Sequence, residues 1–255
     1  MAVSPYENTF GEKFTGSLEG EIMNRTGIIR TATITGVAAA LSLAAIVPAL
    51  AAPQASPLSN PLAAPAADPV TTVADLDGDG EIERVSAQLT GDNDQVISAT
   101  VNGSFTSIHL GADSSVPLEA PRVADLNGDG RAELIVAQSV GANTTFFTAL
   151  HYDGRNLSQV VDEHSKPLFV AEGGGVAAHL GYQCTPLNGG GRTFEVVASE
   201  ADDVSAEPLT YSGTRTVYTL RDGALTTRSS LPITSRPVTD PVLGADAATC
   251  AQTGS

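Results

Sequence analysis

Two stretches of the chain, 50 residues apart, carry the same series of acidic and amide side chains. Residues 73–83 read VADLDGDGEIE, and residues 123–133 read VADLNGDGRAE. Carboxylates at alternate positions around glycines repel one another, and they suit the interior of neither a helix nor a strand. A cation bound by their oxygens would remove that repulsion. The spacing therefore predicts two sites for a hard divalent cation, with calcium as the leading candidate.

Each stretch has oxygen-bearing side chains at positions 1, 3 and 5, glycine at position 6 and glutamate at position 9. Position 7 can contribute its main-chain carbonyl group whatever its side chain. The predicted ligands are Asp75, Asp77, Asp79, Glu81 and Glu83 in the first loop, and Asp125, Asn127, Asp129, Arg131 and Glu133 in the second. An EF-hand opens in the same way but needs an acid at position 12 and flanking helices. Here position 12 is Ser86 or Val136, and the residues that follow favour strands.

Solvated acidic turns that bind no ion are the alternative interpretation of both loops. Turns of aspartate and glycine are common, but two nine-residue matches that share every class of ligand favour a bound ion. Magnesium is less suited to such loops than calcium, because it demands octahedral coordination and retains much of its water. Two calcium ions, one in each loop, are therefore expected.

Short apolar runs separated by turn residues continue along the chain, with no long segment at helical spacing. The runs at residues 84–89 and 134–139 are predicted strands that leave the two acidic loops. A hairpin is predicted after each of them, and a third hairpin is predicted near the end of the chain. The pairs predicted to form type I′ turns are Asn102-Gly103, Asp153-Gly154 and Asp222-Gly223.

Three hairpins with one kind of turn predict three units, at residues 70–119, 120–175 and 176–235, followed by a tail at residues 236–255. The third unit contains a degraded copy of the acidic loop. LNGGGRTFEVVASE, from Leu187, aligns without a gap on LNGDGRAELIVAQS, from Leu126. The replacements are Asp125 by Pro186, Asp129 by Gly190 and Glu133 by Phe194. Because the glycines remain, we expect a third loop of the same shape without an ion.

A loop with ligands at positions 1, 3, 5, 7 and 9, entered from VAD and leaving into an apolar strand, resembles the FG-GAP or VCBS repeats of integrin-like β-propellers. The resemblance extends over residues 70–228. It implies an all-β fold of propeller-like, four-stranded antiparallel sheets, with calcium bound between the first two strands of a blade. A full propeller generally has at least four blades. Three units therefore imply a ring that is incomplete or atypically closed.

The beginning of the chain has the features of an export signal. Arg25 and Arg30 precede an apolar run at residues 32–46, and Ala-Leu-Ala at residues 49–51 is typical of a cleavage site. The apolar run is shorter than the ~20 residues that a membrane-spanning helix needs. A signal peptide is therefore predicted at residues 23–51, and a secreted or cell-envelope protein is expected.

The segments on either side of this signal differ from it in composition. Residues 1–22 contain four glutamates and one lysine, which contradicts the positive start of an export signal. We predict that they are a mis-assigned upstream start and that Met23 is the true one. Residues 52–69 contain little besides Ala, Pro and Ser, and a disordered linker is predicted there. The folded domain is expected at residues 70–255.

The net charge narrows the classes of binding partner, and the two cysteines predict a disulfide. The chain has 29 acidic and 13 basic residues, which gives a formal charge of -16. Residues 1–51 hold four acids and three bases, so -15 remains after cleavage. This disfavours nucleic acids and anionic membranes as partners and favours cations. Cys184 and Cys250 are expected to form a disulfide in an exported chain.

No motif in the sequence predicts catalysis. The spacing of the four histidines suggests neither a zinc site nor a hydrolase triad; they are His109, His151, His164 and His179. We therefore expect a non-enzymatic, calcium-binding β-repeat module that contacts an extracellular protein or a cell-envelope component. Two alternatives remain open, namely a structural subunit that completes its ring of sheets by oligomerising, and an extracellular hydrolase.

Overall fold

The computed structural model describes residues 68–91, 93–113 and 118–252. Within these ranges, the regular elements besides β-strands are two short 3-10 helices, Pro241–Leu243 and Ala247–Cys250. All pairs of strands in the two sheets are antiparallel. The predicted all-β fold is confirmed. The predicted upstream segment, signal peptide and most of the linker lie outside the described residues.

The first sheet is a four-stranded meander, called blade 1 below. Its strands pair in chain order and are β1 (Val70–Ala74), β2 (Glu83–Gly91), β3 (Asp94–Val101) and β4 (Ser104–Gly111). Apolar and polar residues alternate along them, because successive side chains of a strand point to opposite faces. In β2, for example, Val85 and Ala87 are buried whereas Arg84 is exposed. One face of blade 1 therefore packs inside the protein and the other faces solvent.

The second sheet has nine strands, which form two further meanders joined by one connecting strand. Blade 2 consists of β5 (Arg122–Ala124), β6 (Glu133–Val140), β7 (Thr144–Tyr152) and β8 (Leu157–Gln159). Blade 3 consists of β10 (Ala178–Pro186), β11 (Arg192–Ala201), β12 (Thr210–Arg221) and β13 (Ala224–Pro237). Between them, β9 (Phe169–Gly173) pairs with the first half of β7 and meets β10 where Gly173 faces Leu180. Each acidic loop thus joins the first two strands of a blade.

Apolar side chains fill the space between successive blades. The cluster between blades 1 and 2 includes Leu76, Val85, Ile97, Val101, Leu134, Val136 and Leu150. The cluster between blades 2 and 3 includes Ile135, Phe147, Tyr182, Phe194 and Leu220. In the described part of the chain, neither a pair of strands nor an apolar cluster joins blade 3 to blade 1. The blades therefore form an open stack, not a closed ring.

The C-terminal tail covers the outer face of blade 3. Leu243 of the tail is buried in a cluster with Val197, Tyr211 and Ile233 of that face. Further along, Cys250 forms the predicted disulfide with Cys184 of β10. The tail then reaches blade 2, where Ala251 bridges to Ala124 at the end of β5. The predicted disulfide is confirmed, and it joins the last blade to the tail.

Two of the three predicted type I′ turns are consistent with the backbone, and one prediction is wrong. Asn102 and Gly103 have φ angles of 49° and 75°, and Asp222 and Gly223 have φ angles of 48° and 74°, as this turn type requires. The hairpin predicted at Asp153-Gly154 instead closes through the four residues 153–156, because Tyr152 pairs with Leu157. In this longer loop, Oδ1 of Asp153 accepts hydrogen bonds from the N–H groups of residues 155 and 156, at 2.8 and 2.7 Å.

Candidate metal centres

The first acidic loop is organised by the carboxylate of Asp75, which is buried at the end of β1. Its Oδ1 accepts a hydrogen bond from the N–H of Gly78 at 2.7 Å, and its Oδ2 accepts one from Gly80 at 3.0 Å. Both glycines have positive φ angles, of 78° and 87°, and only glycine adopts such a backbone conformation readily. The loop is thereby folded around the first predicted ligand.

Glu83, at position 9, closes the loop from the opposite side. It is only 7% exposed, and its Oε2 accepts the N–H of Leu76 at 2.8 Å. Single carboxylate oxygens of Asp75, Asp77 and Glu83 all lie within 4.8 Å of one another. Three carboxylates this close suit a hard cation that takes oxygen ligands. The loop therefore has the donor chemistry of a calcium site.

The other predicted ligands of the first loop are placed differently. Asp79 and Glu81 are exposed, and their carboxylates do not belong to that group of three. Oδ1 of Asp79 instead accepts the N–H of Glu81 at 2.7 Å. Asp77 receives a hydrogen bond at 2.6 Å from the side-chain amide of Asn102, which lies in the turn between β3 and β4. The sequence did not point to Asn102 as part of this site, because its Asn-Gly pair has an independent explanation as a turn.

The second loop reproduces the hydrogen bonds of the first. The carboxylate of Asp125 accepts the N–H groups of Gly128 at 2.6 Å and Gly130 at 3.3 Å, and Oε2 of Glu133 accepts that of Leu126 at 2.8 Å. At position 3 an amide replaces a carboxylate. Asn127 bonds to Asp129 through both its oxygen and its nitrogen, each at 3.0 Å. Arg131 is exposed, and its N–H donates to Oδ1 of Asp129 at 2.9 Å.

The glutamates at position 9 are buried among other carboxylates. Burial raises the pKa of Glu133 to about 8, the N–H of Leu126 opposes this, and repulsion from Asp129 and Asp125 adds to it. Burial likewise raises the pKa of Glu83, again against the hydrogen bond from Leu76. In the described part of the chain, neither glutamate forms a salt bridge with a basic residue. A bound cation would supply the missing positive charge.

The third loop does not keep the predicted shape. Pairing between β10 and β11 continues as far as Pro186 and Arg192, which leaves a turn of only five residues, 187–191. Main-chain hydrogen bonds replace those of the missing carboxylate, since Leu187 N–H donates to Gly191 at 3.0 Å and Gly190 N–H to Leu187 at 3.2 Å. Once the aspartate at position 1 is proline, nothing holds the wider loop open. The prediction of the same shape is therefore wrong.

The three loops lie against one another in chain order. The N–H of Ala132 in the second loop donates to the carbonyl of Asp75 in the first, at 2.7 Å, and the N–H of Arg192 donates to the carbonyl of Asn127 at 2.6 Å. Gly128 is so close to the third loop that a Cβ atom on it would lie 2.7 Å from Cα of Gly191. The two candidate centres are therefore in direct contact through main-chain hydrogen bonds.

A cavity of about 110 Å³ borders the second loop. Its polar walls include Asn127, Asp129, Glu133, His151, Asp153 and Asp222. The imidazole of His151 lies against Gly223, where any side chain would overlap it. From the sequence, Asp153 and Asp222 are predicted only as turn residues. Asp153 lies between β7 and β8 of blade 2 itself, whereas Asp222 reaches the cavity from blade 3, and its position depends on the packing of the two blades, which no local pattern reveals.

The four histidines lie in separate surroundings. His109 contacts Asp94 at 3.1 Å on the surface of blade 1, and His164 lies 3.9 Å from Asp162. His179 packs edge-on against Tyr211, with 4.4 Å between ring centroids. His151 borders the cavity described above.

Comparison with known proteins agrees with the loop geometry. Residues 72–136 match the family model of the FG-GAP-like repeat, a range that runs from β1 to β6 and contains both acidic loops. The chain thus carries an FG-GAP-like repeat. No curated protein and no solved structure matches it significantly.

None of the helices in the described ranges has the length and apolar character needed to cross a membrane. A disulfide and a repeat of this family fit an extracellular protein.

Proposed function

We propose, from the FG-GAP-like repeat at residues 72–136, that the protein is an exported, non-catalytic module that binds two calcium ions. The observation that carries this proposal is the duplicated pair of buried acids, Asp75 with Glu83 and Asp125 with Glu133. Each pair is fixed by the same three main-chain hydrogen bonds, and among the described residues its glutamate forms no salt bridge with a basic side chain. Burying carboxylates in this way is unfavourable unless a cation is bound.

Calcium would stabilise the junction between the first two strands of blades 1 and 2. In the first loop, Asp75, Asp77 and Glu83 would hold the ion, with Asp79 and the carbonyl of Glu81 completing the oxygen shell. In the second loop, the corresponding residues are Asp125, Asn127, Asp129, Glu133 and the carbonyl of Arg131. When bound, the ion supplies charge neutralisation and a cross-link between strands, rather than reaction chemistry.

The module would work by presenting its β surface to an extracellular protein or a cell-envelope component. A formal charge of -16 over the chain and the absence of a basic patch from the sequence disfavour nucleic acid as that partner. The disulfide between Cys184 and Cys250 supports an oxidising compartment outside the cytoplasm. Rigid sheets stabilised by calcium suit a binding surface whose shape must persist outside the cell.

Calorimetry and thermal unfolding of the full chain test the proposal. We expect two equivalents of calcium to bind, and each site to add roughly 2.7 kcal/mol to the free energy of unfolding at 100 times its Kd. Two sites would then raise the Tm by on the order of 10 °C relative to chelator. Magnesium at the same concentration serves as the control and should act more weakly. The absence of both calcium uptake and a Tm shift would contradict the proposal.

Variants assign the two equivalents to the two loops. D75N/E83Q should remove one equivalent, D125N/E133Q the other, and the four-residue combination both. Circular dichroism in calcium checks that each variant keeps its sheet content. If both double variants keep two equivalents, the ions bind elsewhere.

A further inference from the structure

The last described residue of the tail, Gln252, contacts both acidic loops. The side-chain amide of Gln252 donates to the main-chain carbonyl of Asp75 at 3.3 Å and to that of Gly130 at 2.9 Å. Asp75 is position 1 of the first loop, and Gly130 is position 6 of the second. One amide group therefore joins the two loops, 177 and 122 residues away from it in the chain.

The tail also fixes the main chain of Asp125, which is position 1 of the second loop. The N–H of Asp125 donates to the carbonyl of Cys250 at 2.8 Å. Its carbonyl accepts Nη1 of Arg192 at 3.0 Å, and the same nitrogen reaches the carbonyl of Ala251 at 3.1 Å. Asp125 is thus held on both sides by groups that depend on the position of the tail.

The disulfide sets the position of the tail. Cys184 and Cys250 are 3% and 1% exposed, and the N–H of Cys184 also donates to the hydroxyl of Thr249 at 2.9 Å. The carbonyl that holds Asp125 belongs to Cys250 itself. Breaking the disulfide would therefore free the residue that contacts the second loop, and with it Gln252, two residues further on.

We propose that Gln252 is a positioning residue for both calcium loops and Arg192 for the second, and that the Cys184–Cys250 disulfide is coupled to calcium binding at both sites. This inference rests on the proposed binding of calcium. Partners outside the first shell orient metal ligands, and their loss typically lowers metal affinity 10- to 100-fold. Here the first predicted ligand of each loop is held through its main chain, and Cys250 and Gln252, which make these contacts, belong to the segment that the disulfide cross-links.

The coupling must work in both directions, because linkage between two equilibria is reciprocal. If the intact disulfide favours calcium binding, bound calcium favours the intact disulfide. A dithiol reductant gives two electrons and two protons to the two sulfur atoms, which breaks the S–S bond and leaves the reductant as its own disulfide. Calcium should therefore make this reduction slower and less complete.

Q252A in the full chain tests the positioning role, with Q88A as the matched control. Gln88 lies in β2, away from both loops. Calorimetry should show calcium binding about tenfold weaker at both sites in Q252A and unchanged in Q88A. Normal affinity in Q252A, or weaker binding at one loop only, would overturn the inference. An unmodified chain that takes up no calcium would instead contradict the proposed function, so the two failures are distinguishable.

Thiol release by a dithiol tests the role of the disulfide. Labelling of free thiols in the unmodified chain should proceed several-fold more slowly in calcium than in chelator. Equal rates would overturn the link between the disulfide and the ion sites. C184A/C250A should bind calcium more weakly at both loops, and normal affinity in this variant would also overturn it. If that variant fails to fold, the labelling rates of the unmodified chain decide.

Discussion

Glu133 and Glu83 are the buried acids on which the proposed calcium binding depends most. Both are buried beside aspartates, and burial raises the pKa of each, that of Glu133 to about 8. Without a cation, a buried carboxylate destabilises the fold when it is ionised, whereas in the proposed calcium-bound state it would be a ligand. The ionised carboxylate would therefore destabilise the calcium-free protein and stabilise the calcium-bound one.

E133Q should distinguish the effect of this charge on stability with and without calcium, because glutamine keeps the shape of glutamate and removes its charge. In chelator at pH 8 we expect the Tm of E133Q to exceed that of the unmodified chain. In saturating calcium the order should reverse, since the variant lacks a ligand. Thermal unfolding under both conditions measures this. A Tm of E133Q below that of the unmodified chain in chelator would show that the ionised carboxylate stabilises the calcium-free fold.

The pH dependence of the same comparison follows from the raised pKa of Glu133. Below the usual glutamate pKa of 4.5, the group is protonated in both the folded and the unfolded chain. Between pH 4.5 and about 8 the unfolded chain releases this proton while the folded one retains it, so the folded state loses stability as pH rises. The Tm advantage of E133Q in chelator should therefore be absent near pH 4.5 and grow until about pH 8. An advantage that does not vary with pH would contradict this.

The acidic loops could be found from the sequence, but the separate roles of their residues could not. Alternating acids around glycines indicate a cation whatever the details of the fold, and Asp75, Asp77 and Glu83 do lie together. The sequence did not distinguish them from Asp79, whose oxygen bonds to a neighbouring N–H group. Nor did it point to Gln252, because a contact over 177 residues depends on the path of the whole tail.

At the scale of elements, the glycines of the acidic loops serve two distinct purposes. Gly128 and Gly130 both have positive φ angles, of 76° and 88°, and both donate to the carboxylate of Asp125. A Cβ atom on Gly130 would meet nothing within 4 Å, whereas one on Gly128 would overlap the main chain of Gly191. Of these two glycines, Gly128 is therefore the one that the contact between loops requires.

G128A and G130A form a matched pair for measuring that contact. G130A should lower the free energy of unfolding by about 1 kcal/mol, the usual penalty of a left-handed backbone for alanine. G128A should lower it by a further 1–3 kcal/mol, roughly the penalty of overpacking, because backbone cannot move aside as a side chain can. Denaturant unfolding in calcium measures both. Equal decreases in the free energy of unfolding would mean that the second and third loops are not in close contact.

Elements were predictable where one local signal acted alone. The strands after the acidic loops lie at Glu83–Gly91 and Glu133–Val140, as the apolar runs indicate. Predictions failed where two local signals competed. At Asp153-Gly154 the aspartate side chain bonds to the main chain and widens the turn. In the third unit the glycines remain but the aspartate at position 1 does not, so the turn tightens.

For the whole molecule, the two ends of the stack of blades are completed in different ways. The outer face of blade 3 is covered by the tail through Leu243. The outer face of blade 1 has no covering segment in the described part of the chain. Its residues are more polar than those on the corresponding face of blade 2. Blade 2 directs Leu134, Val136 and Leu150 toward its neighbour. The corresponding positions of blade 1, 50 residues earlier, are Arg84, Ser86 and Thr100.

This replacement makes blade 1 a solvent-facing end of the stack, so ring closure by a second copy is not required. We expect light scattering to give the mass of a single chain in calcium at micromolar concentration. A dimer under these conditions would instead support the structural subunit that completes its ring by association.

R84L/S86V/T100L restores to blade 1 the apolar side chains by which blade 2 contacts its neighbour. These side chains would join Val73 and Phe105, which already are 59% and 72% exposed on the same face. A patch of this kind favours association, since burying it removes apolar surface from water. The variant should therefore dimerise or aggregate as its concentration rises, while calcium binding at the loops persists. If the variant stays monomeric, the three polar side chains are not what prevents association through blade 1. The edge and shape of the sheet would then prevent it.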